Sequence, residues 1–194
     1  MKSHIARLRS ALVVSSWVAL LTLCLWPASP ARAQGAPEIY TATVIASEGL
    51  AGSTGRISVR IVAYTSDAEK TNLLAAFKKD PAAGMTLLRS MSKGYINIEG
   101  QPGRKIEAVF TRPRQDGRDL IVIGEHVASK LEDWNGVKAE DHPMAVIHLR
   151  LAADGTPLGG EVFPAVKLAV TADGFLDVET DSSNKIIMIN LARQ

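Results

Sequence analysis

Cysteine is nearly absent from this chain of 194 residues, which excludes a fold or a site built on cysteine. Cys24 is the only cysteine, and it lies in an N-terminal segment that we expect to be removed. The mature protein would then have no thiol, no disulfide and no cysteine metal ligand. Its stability must therefore come from packing.

The chain also lacks the common catalytic signatures. It contains no G-x-S-x-G nucleophile elbow, no phosphate-binding loop and no dinucleotide fingerprint. Ser90 and Lys93 have the S-x-x-K spacing of penicillin-binding enzymes, but the S-D-N and K-T-G partner motifs are missing. A lysine that complements the dipole at the end of a helix is the simpler interpretation. We therefore favour a protein that is not an enzyme, and we expect no cofactor.

An excess of basic residues is absent once the N-terminal segment is set aside. That segment holds four of the 22 lysines and arginines and none of the 20 acidic residues, which leaves 18 basic and 20 acidic residues. The remaining chain therefore has a formal charge of −2. Nucleic-acid binding needs a basic face, so we expect no nucleic-acid partner.

The N-terminal segment has the three parts of a secretory signal peptide. Lys2, Arg7 and Arg9 precede an uncharged apolar run over residues 11–26, and Ala31-Arg32-Ala33 follows as a cleavage site. The run of sixteen residues is shorter than the roughly 20 that a membrane-spanning helix needs. We therefore expect cleavage near Ala33, no stable membrane insertion afterwards, and a periplasmic or secreted protein. The predicted organisation is a signal peptide over 1–33, a short leader over 34–37 and a single domain over 38–194.

Most of the mature chain has the patterns of β-strands. Ile57, Val59 and Ile61 share one face of a strand while Arg56 and Ser58 share the other, which indicates a half-buried strand. Residues 120–123 are apolar without alternation, which is typical of a strand covered on both faces. Short turns, among them Asp116-Gly117, separate most of about nine such segments, so we predict antiparallel neighbours. The predicted strands lie within residues 38–46, 56–64, 94–98, 104–113, 119–125, 144–151, 162–170, 175–180 and 185–192.

The stretch from Thr65 to Met91 is the one long helical segment. Ser66 and Glu69 have the spacing of a capping box, and Leu73 and Phe77 begin an apolar stripe. Asp80-Pro81 ends this helix and starts a second one, with aspartate as N-cap and proline at the first helical position. The sequence predicts a pair of short helices.

These elements predict an α+β fold. We expect a curved, mostly antiparallel meander of about nine strands packed on the two helices, which would fill its concave face. A closed, lipocalin-like β-barrel is the alternative. The choice depends on whether the helices plug the concave face, because plugging would leave little cavity.

The order of several segments resembles a group of secreted bacterial α+β proteins that have no assigned activity. The resemblance rests on GYI at 94–96, DGR at 116–118, HPMAVIHL at 142–149, the Gly159-Gly160 turn and the closing INLA at 189–192. It implies the fold and the export route. The chain departs from the group at Gly124-Glu125-His126 and over residues 187–191, so the resemblance implies no site.

Residues 126–142 form a long polar connection, and such connections often bind partners. Trp134 is the only tryptophan outside the signal segment, and it either pins this loop to the core or anchors a partner. Glu125 and His126 begin the loop. Tyr40 and Tyr64 are further candidates for ligand contact if they lie on the polar side of their strands. These five residues are the predicted contact set.

A metal site is a second possibility in the same loop. His126 and His142, together with Asp133 or Asp141, could hold a divalent ion such as zinc. An open coordination position would then activate water. No motif with metal-ligand spacing is present, and a solvated polar loop is the simpler interpretation.

The leading functional hypothesis is a non-enzymatic binding or interaction domain of the periplasm or the cell exterior. Its partner would be an unknown small molecule or an envelope protein, bound through the long loop and the adjacent strand edge. One alternative is a metal-assisted hydrolase that uses His126 and His142. The other is a structural envelope protein that pairs with a partner through an edge strand.

Overall fold

The computed structural model describes residues 36–46, 54–125, 144–170, 176–179 and 185–194. Within these ranges the chain forms nine β-strands and two α-helices. The strands are β1 (Glu38–Ala46), β2 (Thr54–Ile61), β3 (Gly94–Ile98), β4 (Arg104–Arg114), β5 (Gly117–Glu125), β6 (Met144–Ala152), β7 (Pro157–Val170), β8 (Leu176–Glu179) and β9 (Ile186–Arg193). The helices α1 (Asp67–Lys79) and α2 (Pro81–Ser90) lie between β2 and β3.

Eight of the strands close into an antiparallel β-barrel. From β1 to β7 each strand pairs with the next one along the chain, and β9 then pairs with both β7 and β1. The closing pair brings Tyr40 opposite Arg193. In the described part of the chain, β8 pairs only with the second half of β7. The barrel is an up-and-down meander with one short added strand.

The expectation of an open α+β sheet with helices on its concave face is wrong, and the alternative of a closed barrel is correct. Two features of the structure explain the difference. The last strand returns to the first, so the sheet has no concave face left for the helices. The helices instead cover part of the outer wall, where β4, β5, β6 and β7 carry apolar side chains on both faces.

The barrel interior is filled by side chains. Tyr40, Leu120 and Ile147 have no solvent-accessible surface, so they border no space that could admit water. An eight-stranded barrel is just wide enough for its side chains to fill it or to leave room for one small ligand, and this barrel is of the filled kind. The interior cluster comprises Tyr40, Ala42, Val44, Ile57, Val59, Ile61, Ile96, Ile98, Ile106, Val109, Leu120, Val122, Ala145, Ile147, Leu149, Leu151, Val162, Ile186 and Met188.

A second apolar cluster lies between the helices and the outer wall. Leu73 and Phe77 of α1 and Leu88 of α2 are buried in it, as the apolar stripe predicts. Gly84 allows the helices to approach closely, because a Cβ atom there would lie 2.3 Å from the Phe77 ring. The wall contributes Ala108, Phe110, Ile121, Ile123, Met144, Val146, Phe163, Val166, Leu168 and Val170.

The predicted helix starts are confirmed. Ser66 caps α1, with its hydroxyl accepting from the Glu69 amide while the Glu69 carboxylate accepts from the Ser66 amide. Asp80 caps α2 by accepting from the amides of Ala82 and Ala83. Pro81 stands at the first position of that helix.

Lys93 connects the helices to the barrel. It is 8% exposed, and its Nζ donates to Glu69 at 2.7 Å, which joins the start of α1 to the residue before β3. This hydrogen bond is the main reason that the pKa of Glu69 is lowered. The Ser90 hydroxyl donates to the carbonyl of Leu87 at 2.6 Å. Both polar groups of the S-x-x-K sequence thus have structural partners.

Candidate functional site

The predicted contact and metal residues fall into two groups. His126, Asp133, Trp134, Asp141 and His142 lie outside the described residues. Glu125 is the last residue of β5, opposite Met144 of β6. Tyr40 and Tyr64 are both described, and they meet at the other end of the barrel, near the start of β5. Arg118 of that region is separated from Glu125 by about 23 Å of strand, at a rise of about 3.3 Å per residue.

Tyr40 and Tyr64 converge on the carboxylate of Glu38. The Tyr40 hydroxyl donates to Oε2 at 2.5 Å, and the Tyr64 hydroxyl donates to Oε1 at 2.9 Å. Tyr40 does not lie on the polar side of its strand, which was the condition for its contact with a ligand: its side chain points into the barrel and has no accessible surface. The phenol can be buried because Glu38 satisfies its hydroxyl.

Two arginines flank the same carboxylate. Arg118 of β5 and Arg193 of β9 each place Nη2 at 3.7 Å from Glu38 Oε2. The Arg118 guanidinium also lies 6.0 Å from the centre of the Tyr64 ring, at the outer limit of a cation–π contact. We call these five residues, Glu38, Tyr40, Tyr64, Arg118 and Arg193, the mouth cluster.

The mouth cluster changes the pKa values of its members. Burial works to raise the pKa of Glu38, but the hydrogen bonds from Tyr40 and Tyr64 and the charges of the two arginines outweigh it, so the pKa is lowered. Burial and the hydrogen bond to Glu38 raise the pKa of Tyr64 to about 12. The same two causes raise the pKa of Tyr40 further. At neutral pH the carboxylate is ionised and both phenols keep their protons, so these tyrosines are poor acid–base catalysts.

The mouth cluster therefore closes one end of the barrel. It joins β1, the segment after β2, β5 and β9 through a single carboxylate that is 16% exposed. A buried carboxylate must be hydrogen-bonded and paired, and Glu38 is both. The contacts described for the mouth cluster therefore have a structural role: they stabilise the folded barrel.

The outer wall formed by β3, β2, β1 and β9 has a different character. The register places its outward residues in rows across the strands: Asn97 lies opposite Ser58, Ser58 opposite Thr41, and Thr41 opposite Ala192. This row of short side chains has longer residues on each side. One flanking row holds Tyr95, Arg60 and Ile39, and the other holds Glu99, Arg56, Thr43 and Ile189.

A shallow open groove of about 530 Å³ lies on this wall between the row of short side chains and the row that holds Glu99, Arg56 and Thr43. The volume exceeds the roughly 300 Å³ at the lower end of small-molecule sites. Most of the accessible surface of the groove is apolar, and hydroxyl and amide groups make up most of its polar part. The groove is lined by Thr41, Ala42, Thr43, Arg56, Ile57, Ser58, Asn97, Ile98, Glu99 and Asn190.

Arg56 and Glu99 bring opposite charges to the groove and form no ion pair with any described residue. The Glu99 amide donates to the Arg56 carbonyl at 3.0 Å, so the two residues are neighbours across β2 and β3. Both side chains are exposed, and within the described ranges neither makes a hydrogen bond or an ion pair. Arg60, next along β2, is likewise exposed and unpaired in that part of the chain. Each of these charged groups is available to a ligand.

A third polar group lies on the outer wall of β4, β5 and β6. Asp119 Oδ1 is 3.4 Å from His148 Nε2 and 3.4 Å from Arg114 Nη1. The carboxylate of Asp119 is mostly buried and links three neighbouring strands. This arrangement ties the wall together.

Neither a metal centre nor a membrane helix is found in the ranges that the structure covers. No three histidine, cysteine, aspartate or glutamate side chains among the described residues converge as metal ligands would. The helices of the described chain are too short or too polar to cross a bilayer. The predicted zinc ligands lie outside these ranges, so the metal hypothesis stays a prediction.

The residues of the groove were only partly visible in the sequence. The alternation of β2 predicted that Arg56, Ser58 and Arg60 share a polar face, and the structure confirms this. The same alternation in GYINIE puts Tyr95, Asn97 and Glu99 on one face of β3 and its continuation. The missing information was the register, which places these two faces side by side.

Comparison with known proteins adds no assignment. No protein-family model, no curated protein and no solved structure matches the chain. The resemblance to secreted bacterial proteins of unassigned activity therefore stays an expectation.

Proposed function

We propose that this protein is an exported, non-enzymatic binding module that holds a polar ligand in the groove on its outer wall. The observation that carries the proposal is that Arg56 and Glu99 are exposed and form no ion pair within the described chain, beside a groove whose polar groups are mostly hydroxyls and amides. Export to the periplasm or the cell exterior is proposed on the signal-like segment before Gln34.

The filled interior supports a site on the outside. Lipocalin-like carriers hold ligands within the barrel, and here Tyr40, Leu120 and Ile147 leave no space that a ligand could enter around them. The outer wall of β4 to β7 is partly covered by α1 and α2. The wall of β3, β2, β1 and β9 has no such cover among the described elements.

Mapping by NMR tests the proposal. Isotope-labelled protein would be titrated with defined polar compounds, namely amino acids, dicarboxylates, sugar acids and short oligosaccharides. We expect at least one of them to shift the amide signals of Thr41, Ser58 and Asn97. Shifts confined to the mouth cluster or to residues 126–143 would contradict the groove as the site.

The alternative function, pairing with a partner protein through an edge strand, has one candidate strand among the described elements. Among the described strands β8 pairs only with β7, so its second edge can accept a partner strand. A photo-reactive residue placed at Asp177 or Val178 should then give a specific protein adduct in the periplasm. The matched position is His148, on a strand with two neighbours and away from the groove. Equal adducts at His148, or no adduct at β8, would refute strand pairing.

A further inference from the structure

We infer that the ligand of the groove is an oligosaccharide that carries carboxylate groups, an inference that rests on the proposed function of the groove. The backbone of this wall excludes a peptide ligand that would bind as an added strand. Both edges of β1 and both edges of β2 are paired with neighbouring strands. Because their peptide groups are used within the barrel, a peptide cannot add here as a further strand. Side chains must make the contacts.

The side chains of the groove match a ligand rich in hydroxyl groups. Thr43 and Ser58 present hydroxyls, and Asn97 and Asn190 present amides. The Thr41 hydroxyl accepts from the side-chain amide of Gln194 at 3.0 Å and keeps its own donor. Each hydroxyl can donate and accept, and each amide does both through separate atoms. A sugar presents the same combination of donors and acceptors around its ring, so such a lining can satisfy several ring hydroxyls at once.

Exposed apolar groups stand on both flanks of the row of short side chains. Tyr95 on β3 is 52% exposed, and Ile189 on β9 is 38% exposed. An exposed tyrosine ring offers a flat apolar surface with a polar tip, which suits the C–H face of a sugar. The four strands span about 14 Å from β3 to β9, at about 4.8 Å between neighbours. The wall therefore suits an extended chain of sugars rather than a single one.

The charges of the wall select an acidic sugar. Arg56 lines the groove and Arg60 lies farther along the same face of β2, and both are exposed and make no ion pair within the described chain. Among the described residues, Glu99 is the one acidic side chain that lines the groove. Arg56 and Glu99 balance within the groove, and Arg60 beside it gives the described part of the wall an excess positive charge. A guanidinium binds a carboxylate through two parallel hydrogen bonds, which a neutral sugar cannot provide.

The test compares three trisaccharides by isothermal titration calorimetry on the purified protein. They are trigalacturonate, which carries carboxylates, and two neutral probes, maltotriose and the N-acetylglucosamine trimer. We expect trigalacturonate to bind at least tenfold more tightly than either neutral probe, and to weaken as salt is added. Arg56→Ala and Tyr95→Ala should each weaken its binding at least tenfold.

Two variants serve as controls. Arg112→Ala removes an exposed arginine from β4, on another wall, and should leave affinity unchanged. Arg56→Lys keeps the positive charge but loses the two parallel N–H donors of the guanidinium, so its affinity should lie between those of Arg56→Ala and the unmodified protein. Equal binding of the neutral trimers, or an equal loss in Arg112→Ala, would overturn the inference.

The two proposals fail separately. If no trisaccharide binds the groove while another polar compound shifts its amide signals, the oligosaccharide inference is wrong and the proposed function stands. If no compound shifts those signals, both are wrong.

Discussion

The mouth cluster and the groove both place arginine near glutamate, yet only the mouth cluster brings the charges together. Glu38 is mostly buried, accepts two tyrosine hydrogen bonds and faces two guanidinium groups. Glu99 and Arg56 are exposed, and the described chain gives their side chains no partner. Burial forces a charge to be satisfied within the protein, whereas exposure leaves it to solvent or to a ligand. The first region should therefore govern stability and the second should govern binding.

Removal of the Tyr40 hydroxyl should have the largest effect on stability. Tyr40→Phe keeps the buried ring but takes a donor from an ionised carboxylate, which costs about 2 kcal/mol of unfolding free energy. Urea unfolding at pH 7 measures this loss. The matched control is Tyr95→Phe, at an exposed tyrosine on β3, which should change stability by less than about 0.5 kcal/mol. Equal losses in both variants would contradict the role of the mouth cluster.

The second-largest effect should be a pH dependence of stability that comes from the titration of Glu38 and Tyr64 in the mouth cluster. The pKa of Glu38 is lower in the folded protein than its ordinary value of 4.5, so its contribution is complete above pH 4.5 and is lost as the pH falls through the folded pKa. The pKa of Tyr64 is raised from 10 to about 12, so its contribution is complete below pH 10 and is lost as the pH rises towards 12.

This effect should be smaller than that of Tyr40→Phe, because burial of Glu38 opposes the hydrogen bonds and leaves a net lowering only. Urea unfolding between pH 3 and pH 7 measures it, with Glu38→Gln as the comparison. The variant lacks the titrating group, so its stability should depend less on pH over this range. An unchanged pH dependence in Glu38→Gln would assign the acid sensitivity to other carboxylates.

Tyr64→Phe should cost less than Tyr40→Phe, about 1 kcal/mol. Its hydroxyl donates to the other oxygen of Glu38, but Tyr64 lies after the end of β2 and is only partly buried. Water can replace part of the lost hydrogen bond there. The same urea experiment checks the order, and a larger loss in Tyr64→Phe than in Tyr40→Phe would reverse our assignment of the inner partner.

Groove variants should have the smallest effect on stability. Arg56→Ala and Glu99→Ala remove exposed side chains without described partners, so each should change the unfolding free energy by less than about 0.5 kcal/mol. Thermal and urea unfolding measure the change. A loss above about 1 kcal/mol in either variant would mean that the charge stabilises the barrel, which would remove the contrast with the mouth cluster.

Local structure could be predicted from the sequence because local rules fix it. The Ser66–Glu69 capping box, the Asp80-Pro81 start of α2 and the polar face of β2 all appear where the pattern places them. The apolar run at 120–123 also indicated a strand covered on both faces, and Leu120 and Ile123 indeed pack into different clusters.

Closure of the barrel could not be read from the sequence in the same way. It depends on β9 pairing with β1, which places Tyr40 opposite Arg193 from the far end of the chain. No periodicity within a segment contains that information. The sequence correctly predicted that β5 is covered on both faces, but it does not say whether the helices lie inside or outside a curved sheet.

The site was predictable only in part for the same reason. Tyr40 and Tyr64 were singled out as aromatic residues, but their common partner Glu38 and the flanking Arg118 and Arg193 come from three strands. The groove likewise needs the register between β2 and β3 before Arg56 and Glu99 become neighbours.

A paired measurement on Tyr64→Phe and Arg56→Ala tests the division between stability and binding most directly. Each variant would be assayed for unfolding free energy in urea and for trigalacturonate affinity by calorimetry. We predict that Tyr64→Phe loses about 1 kcal/mol of stability and keeps its affinity, while Arg56→Ala keeps its stability and loses affinity at least tenfold. The opposite pattern, with Arg56→Ala unstable and Tyr64→Phe unable to bind, would contradict the account.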